Sequence, residues 1–176
     1  MNNRIYLVGY MGAGKSTCAK RLANKFNWDF KDLDQLFESR YKIAITDFFE
    51  KYDESLFRRL ERDLLQETNT LQNTIIATGG GTACFYSNMS WMNENGHTVY
   101  LQMSPSGLAN RLIHAKKKRP LLSKKNPEEL YNFVKDQLRQ RAIFYSQAKI
   151  IIDAESLNLE ALITNLINHF PKISPP

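Results

Sequence analysis

The stretch that most constrains this chain is Gly9–Thr17, GYMGAGKST, which lies between an apolar run and a helical pattern. Gly9, Gly14, Lys15 and Ser16 fit the pattern G-x-x-x-x-G-K-[ST]. Glycines at a strand–helix junction let the backbone turn tightly, so that its N–H groups converge on phosphate oxygens. The helix that follows points its positive end at the same anion. The stretch therefore predicts a site for a nucleoside triphosphate rather than a ligand-free glycine turn.

The side chains of this stretch add two contacts to those of the backbone. Lys15 supplies a cation at the β- and γ-phosphates, and the hydroxyl of Ser16 can bind Mg²⁺. We therefore expect a nucleoside triphosphate together with Mg²⁺ at this site. The residues expected to hold the nucleotide here are Gly12, Ala13, Gly14, Lys15, Ser16 and Thr17.

Apolar runs and helical periodicities alternate along the chain. The predicted strands are Arg4–Val8, Trp28–Lys31, Thr74–Thr78, His97–Gln102 and Lys149–Ile152. The predicted helices are Lys15–Phe26, Asp53–Glu67, Pro105–Ala115, Pro127–Gln147 and Leu157–Phe170. This alternation predicts an α/β fold whose parallel sheet is covered on both faces. Ligands of such sheets bind beyond the carboxyl ends of the strands, where the segments GYMGAGKST, DLD and GGG follow the first three strands.

Length, charge and cysteine content restrict the class of protein and the kind of ligand. The 176 residues predict one domain, 1–176, and no apolar run approaches the ~20 residues of a membrane span. The net charge is +6, but no basic patch is interleaved with aromatic residues, which favours a small phosphorylated ligand over nucleic acid. Neither Cys18 nor Cys84 lies in a zinc-binding pattern. We expect a cytoplasmic monomer that binds neither nucleic acid nor membrane.

The class of nucleotide-binding protein follows from what accompanies the glycine-rich loop. A GTPase would carry Asn-Lys-x-Asp, which this chain lacks. An ATPase motor would end an apolar strand in Asp-Glu, whereas Ala154 follows Ile150–Asp153. Asp153 is therefore interpreted as a turn residue, with a metal ligand as the alternative. A small-molecule kinase requires an acceptor site, carboxylates near the metal and a lid that excludes water.

Asp32 and Asp34 follow the second predicted strand at a spacing of two residues. Residues i and i+2 of an extended chain point to the same side, so both carboxylates are expected to face the phosphates. One could bind Mg²⁺ through water, and the other could orient an acceptor hydroxyl or take its proton. A solvated turn is the alternative.

Arg58 and Glu61 are three residues apart on a predicted helix, which allows them to pair. Such a pair would aim the guanidinium of Arg58 at a carboxylate or phosphate, although a surface ion pair has the same spacing. Gly79–Gly81 offers bare backbone N–H groups, suited to the close approach of a ligand or to a tight turn.

Two further arginines stand out. Arg141 lies on the apolar stripe of a helix, and an arginine on a face that is expected to be buried needs an anionic partner. That stripe consists of Leu130, Val134, Leu138, Ala142 and Tyr145. Arg119 lies in the basic segment KKKRPLL, where an arginine that closes on the γ-phosphate would stabilise the charge being transferred.

Together, these motifs resemble the shikimate kinase family over nearly the whole chain. The motifs that carry the resemblance are Gly9–Ser16, Asp32–Asp34, Phe57–Glu61, Gly79–Gly81, Arg119–Leu122 and Arg141–Tyr145. The resemblance implies ATP-dependent phosphorylation of the 3-hydroxyl of shikimate, a step towards chorismate and the aromatic amino acids. It also implies the three-layer α/β/α fold of nucleoside monophosphate kinases, with a five-stranded parallel sheet in the order 2-3-1-4-5.

The resemblance further implies a role for each candidate residue. Lys15, Asp34 and Arg119 are the catalytic candidates, and Ser16 and Asp32 the metal-binding candidates. Shikimate would be bound by Asp34, Arg58, Arg141 and the backbone of Gly80 and Gly81. Arg111 would stack on adenine, Arg119 would reach the phosphates, and Phe48, Phe49 and Phe57 would wall the substrate pocket. The substrate-binding region is expected at about 32–61 and the lid at about 115–126.

Other functions fit parts of the pattern. A gluconate or nucleotide kinase shares the fold, but FRRLE, GGG and RAIFY argue against both. A catalytically silent binding protein should lack Asp34, Arg58 or Arg141, all of which are present. An RNA-binding protein that uses the basic lid should hold polyanions with a steep salt dependence. The segment before the last helix, Asp153–Asn158, lacks the proline that some relatives carry, which leaves the adenine contacts open.

Overall fold

The computed structural model describes residues 3–115, 125–171 and 173. Within these ranges the strands form one parallel sheet in the order β2-β3-β1-β4-β5, as predicted. The strands are β1 (Arg4–Val8), β2 (Asp29–Asp32), β3 (Thr74–Ala77), β4 (His97–Gln102) and β5 (Ile150–Asp153). The helices are α1 (Lys15–Phe26), α2 (Leu33–Tyr41), α3 (Ile45–Lys51), α4 (Glu54–Glu67), α5 (Asn88–Asn95), α6 (Pro105–Ile113), α7 (Pro127–Tyr145) and α8 (Leu159–His169).

β1 is the central strand and brings the glycine-rich loop to the middle of the sheet. It pairs in parallel with β3 and β4, and all of its residues are buried. Because alternate residues of a strand face opposite sides, Ile5 and Leu7 pack in one core cluster and Tyr6 and Val8 in another. This two-sided burial explains why residues 5–8 of the strand form a continuous apolar run.

The structure differs from the sequence-based elements in element bounds and in three additional helices. β2 and β5 begin and end one residue later than predicted, and the other differences in bounds are of one or two residues at the ends of β3, α4, α6, α7 and α8. The helices α2, α3 and α5 were not predicted. α2 and α3 pack against α4 through an aromatic cluster that includes Phe37, Phe48 and Phe57, so tertiary contacts stabilise these short helices. Ala142 was wrongly assigned to the buried stripe of α7, because its side chain is exposed.

Among the residues that the structure describes, none of the helices combines the length and the apolarity needed to cross a membrane.

His97, at the start of β4, gives the fold a predicted pH dependence. The centroid of its ring lies 3.9 Å from that of Phe170, and its Nδ1 atom is buried without a hydrogen-bond partner among the described residues. Burial, with a smaller contribution from Lys149, lowers the pKa of His97 to about 4. The unfolded chain therefore binds a proton at a higher pH than the folded one does, and stability should fall as the pH drops from about 6.5 towards 4.

We expect the free energy of unfolding to decrease between pH 7 and pH 5 by about 1 kcal/mol more in the unsubstituted chain than in His97→Phe. Phenylalanine keeps the ring contact with Phe170 and cannot take up the proton. Urea unfolding at both pH values measures this difference. Equal pH dependence in the two proteins would contradict the assignment to His97.

Candidate active site

The glycine-rich loop between β1 and α1 has the backbone geometry that a phosphate cradle needs. Gly12 and Gly14 have φ angles of +85° and +92°, in the left-handed region that favours glycine. Gly14 is also the N-cap of α1, so the first turn of that helix opens onto the loop. The loop therefore combines converging N–H groups with a helix N-terminus, the arrangement that binds phosphate.

Lys15 folds back over this loop. Its Nζ atom donates hydrogen bonds to the carbonyl oxygens of Gly9 at 2.8 Å and Tyr10 at 2.9 Å. The side chain is buried, so its positive charge is held beside the loop and away from bulk water. A cation in this position is suited to an incoming triphosphate.

Ser16 and Asp32 bring a hydroxyl and a carboxylate together at the edge of the loop. The Ser16 hydroxyl donates to Oδ2 of Asp32 at 2.5 Å. The other oxygen, Oδ1, accepts from the backbone N–H of Asp34 at 3.0 Å and of Gln35 at 3.4 Å, which caps α2. A hydroxyl and one carboxylate fit Mg²⁺, which keeps several waters and uses substrate phosphates as further ligands. No group of three or more His, Cys, Asp or Glu residues suited to a metal occurs in the described ranges.

Asp34 reaches the site by a different route from the one predicted. It lies in the first turn of α2 rather than on extended chain, because Asp32 caps the helix that starts at Leu33. The expected strand-like arrangement of the two carboxylates is therefore wrong. Asp32 turns to Ser16, whereas Oδ1 of Asp34 lies 3.1 Å from where a Cβ at Gly79 would be. Asp34 is thus an exposed carboxylate beside the Gly79–Gly81 segment.

The predicted pair of Arg58 and Glu61 is present and buried. Nη1 of Arg58 donates to Glu61 at 2.8 Å, and the two side chains are 12% and 5% exposed. The surface ion pair is excluded for this contact. The more exposed Glu54 accepts from Nε and Nη2 of the same guanidinium. Burial opposes the charge of Arg58, but Glu61 and Glu54 outweigh it and raise the pKa of the guanidinium.

The glycines of Gly79–Gly81 are explained by close approach rather than by backbone conformation. All three have φ angles outside the left-handed region. A Cβ at Gly79 would lie 2.6 Å from Oε1 of Glu61, and one at Gly81 would lie 2.7 Å from Nη2 of Arg58. A side chain here would therefore displace the buried ion pair, which leaves backbone as the surface that faces Asp34 and Arg58.

Arg141 reaches the Gly79–Gly81 segment from α7. Its guanidinium donates to the carbonyl of Gly80 at 3.1 Å and to Oε1 of Gln137 at 2.8 Å. Its Cζ atom lies 5.2 Å from the centre of the Tyr10 ring. In the part of the chain that the structure describes, no carboxylate forms an ion pair with this half-buried arginine. The contacts described here for its charge are neutral oxygens and an aromatic ring, which suits the guanidinium to an anionic ligand.

Arg111 connects the glycine-rich loop to the segment after β5. Its guanidinium donates to the carbonyls of Ala13 at 3.3 Å and Ala154 at 3.1 Å. Arg111 thus borders the outer side of the loop. Arg119, the motif Arg119–Leu122 and residues 116–124 of the expected lid lie outside the described residues.

The three phenylalanines expected around the substrate differ in burial. Phe48 and Phe57 are buried, whereas Phe49 is 42% exposed, and its ring centroid lies 4.7 Å from that of Phe57. Phe48 and Phe57 therefore belong to the core, and Phe49 covers Phe57 from the surface.

Two contact residues were missed from the sequence. Thr82 donates from its hydroxyl to Oε1 of Glu61 at 2.6 Å, and the Phe85 ring lies 4.2 Å from Cζ of Arg58. Both hold the Arg58–Glu61 pair from the segment that follows the three glycines. Their position within four residues after GGG was the signal for them in the sequence, and it does not specify a partner on another helix.

A phosphate cradle in the middle of a parallel sheet, with a carboxylate and two arginines beside it, defines a small-molecule kinase. A family model described as shikimate kinase matches residues 11–171. The chain belongs to the shikimate kinase family. It is accordingly an enzyme that uses ATP as phosphoryl donor.

Curated relatives agree with this assignment. The chain is 46% identical over 171 residues to a shikimate kinase of Azobacteroides pseudotrichonymphae, covering 97% of this chain and 99% of the relative. It is 42% identical over 170 residues to the shikimate kinase of Parabacteroides distasonis, covering 97% and 98% of the two chains.

Solved structures agree as well. The shikimate kinase of Bacteroides thetaiotaomicron superposes with a TM-score of 0.88 at 42% identity, covering 94% of this chain and 97% of that one. The shikimate kinase of Acinetobacter baumannii, in complex with shikimate, superposes with a TM-score of 0.83 at 32% identity, covering 97% of this chain and 96% of that one. A gluconokinase from Sinorhizobium meliloti superposes with a TM-score of 0.57 at 15% identity, covering 97% of this chain and 92% of that one. This similarity reflects the shared fold alone.

Proposed function

We propose that this enzyme transfers the γ-phosphoryl group of ATP to the 3-hydroxyl of shikimate, giving shikimate 3-phosphate and ADP on the way to chorismate and aromatic amino acids. The observation that carries the proposal is the convergence of Arg58, Arg141 and Asp34 on the Gly79–Gly81 segment. Shikimate combines a carboxylate with ring hydroxyls, which matches two cations and one anion around a bare backbone. The complex of the Acinetobacter baumannii relative with shikimate supports the same substrate.

On the acceptor side, Arg58 and Arg141 bind the substrate carboxylate together with the backbone of Gly80 and Gly81. Guanidinium groups form paired, charge-assisted hydrogen bonds with carboxylates. Asp34 binds the ring hydroxyls and holds the reacting oxygen in line with the γ-phosphate. It accepts the hydroxyl proton as the new oxygen–phosphorus bond forms and the bond to the β-phosphate oxygen breaks.

On the donor side, the backbone of 12–17 surrounds the phosphates. Lys15 exchanges its hydrogen bonds to the carbonyls of Gly9 and Tyr10 for hydrogen bonds to phosphate oxygens. Its charge then stabilises the negative charge that develops on those oxygens. Arg111 packs against adenine, and Arg119 closes over the phosphates from the lid. Exclusion of water by the lid prevents transfer of the phosphoryl group to water.

The hydroxyl of Ser16 and, through a water, Asp32 would hold Mg²⁺. The ion would supply positive charge that neutralises part of the charge of the phosphates. The 2.5 Å contact between these two side chains supports the assignment, because it brings both oxygens within reach of one ion. These residues then fix the orientation of the triphosphate relative to the acceptor.

Ser16→Ala is therefore expected to raise the Mg²⁺ concentration needed for half-maximal ADP release by at least about tenfold. Alanine removes the ligand oxygen but leaves the loop backbone unchanged. A titration of Mg²⁺ at fixed ATP and shikimate measures the effect. Ser39→Ala, on the exposed side of α2, is the control. Identical Mg²⁺ dependence of the two variants would exclude Ser16 as a ligand.

The overall proposal is tested by ADP release from Mg·ATP with shikimate, gluconate or a nucleoside monophosphate as acceptor. We expect turnover with shikimate and only background release with the other two. Turnover with gluconate or with a nucleotide in place of shikimate would refute the proposal.

We also propose that residues 1–176 form one domain, with a substrate-binding region at about 32–61 and a lid at about 115–126. The enzyme acts as a cytoplasmic monomer, without nucleic acid or membrane partners. The packing of α2 and α3 against α4 supports the first region as a unit. Light scattering of the purified enzyme at the concentration used for the assays tests whether it is monomeric.

A further inference from the structure

The carbonyl oxygen of Gly80 receives two hydrogen bonds from one helix. Nη1 of Arg141 donates to it at 3.1 Å, and the hydroxyl of Tyr145 donates at 2.5 Å. The two donors lie four residues apart, so they project from the same face of α7. The roles proposed above use Arg141 but give no role to Tyr145.

Tyr145 is held firmly in this position. It is buried, and its ring stacks on that of Tyr100 with centroids 4.9 Å apart and planes 23° apart. Burial, together with Cys84, raises the pKa of Tyr145. The hydroxyl therefore stays protonated at neutral pH and remains a donor.

Two donors on one carbonyl affect the rest of that peptide group. Hydrogen bonds to the oxygen polarise the amide, which strengthens its N–H as a donor. The amide in question joins Gly80 to Gly81. Because a Cβ at Gly80 would lie 3.0 Å from the backbone nitrogen of Met11, this segment also lies close to the phosphate loop.

We propose that Tyr145 is a positioning residue for the acceptor substrate. Its hydroxyl fixes the plane of the Gly80–Gly81 peptide, so that the N–H of Gly81 and the guanidinium of Arg141 meet the same bound carboxylate. Tyr145 acts through Gly80 and does not touch the substrate. The inference rests on the function proposed above, since it assigns the segment to shikimate.

The test is Tyr145→Phe, which keeps the ring and its stacking and removes only the hydroxyl. Gly80 retains Arg141 as a donor, so its carbonyl is not left unpaired and the fold should persist. We expect the KM for shikimate to rise about three- to tenfold, the range for loss of one hydrogen bond, with kcat and the KM for ATP within about twofold. Tyr100→Phe removes a hydroxyl from the same stacked pair without touching Gly80, and it should leave both KM values unchanged.

Hydrogen exchange gives a readout that is independent of substrate. Without ligand, amides within 79–82 should exchange faster in Tyr145→Phe than in Tyr100→Phe, with β1 unchanged in both. Equal effects of the two variants, or a parallel rise of both KM values, would overturn the inference. If the unsubstituted enzyme does not phosphorylate shikimate, the proposed function fails, and the exchange experiment still decides whether Tyr145 orders the segment.

Discussion

Replacing Asp34 with asparagine is expected to lower kcat with shikimate by about 10²–10⁴-fold, the range for removal of a general base. The amide has nearly the shape of the carboxylate but cannot accept the hydroxyl proton. Asp34 is exposed in the first turn of α2, so the substitution should leave the thermal midpoint almost unchanged. Steady-state ADP release at saturating ATP measures the effect.

Asp29→Asn is the matched control for this experiment. It removes the same charge from an exposed position at the opposite end of β2, and we expect unchanged kinetics. A loss of less than about fivefold in Asp34→Asn would contradict proton transfer to Asp34 and leave it the role of orienting the hydroxyl.

Glu61→Gln is expected to raise the KM for shikimate at least about tenfold and to lower the free energy of unfolding by about 3 kcal/mol. Glu61 is the buried partner of Arg58 and also accepts from Thr82. Its loss leaves a largely buried guanidinium short of countercharge and free to leave the position from which we propose that it binds the substrate. Kinetics and urea unfolding of the same preparation measure both effects.

The natural comparison is Glu54→Gln, since Glu54 pairs with the same guanidinium but its side chain is 57% exposed. Exposed pairs contribute about 0.2–1 kcal/mol, so this variant should lose much less stability. If the two variants proved equally damaging, burial would not be what makes the Glu61 contact important.

The central part of the fold was predictable because its signals are local. β1 is an apolar run, and the glycine-rich loop has a spacing that few other structures require. The acceptor site was less predictable. The spacing of Arg58 and Glu61 is the same for a surface pair and a buried pair, and only the packing of Gly79–Gly81 against them decides between the two.

Asp34 lies beside the Gly79–Gly81 segment, but not for the reason that its spacing predicted. Its separation from Asp32 suggested extended chain, but the cap that Asp32 forms starts a helix at Leu33. Thr82 and Phe85 show the complementary limit. Each contacts a side chain on α4 more than twenty residues earlier in the sequence, and no local periodicity reports such a contact.

The carboxylate of Asp32 has a consequence for redesign of this enzyme. One of its oxygens meets Ser16 on the nucleotide side, and the other caps the helix that carries Asp34 on the acceptor side. The glycine-rich loop and the helix that carries Asp34 are therefore connected through a single side chain, that of Asp32. A graft that exchanges the acceptor region for that of another kinase must begin before Asp32, or the imported helix will start without its cap, and the retained loop must keep the hydroxyl of Ser16 that contacts this carboxylate.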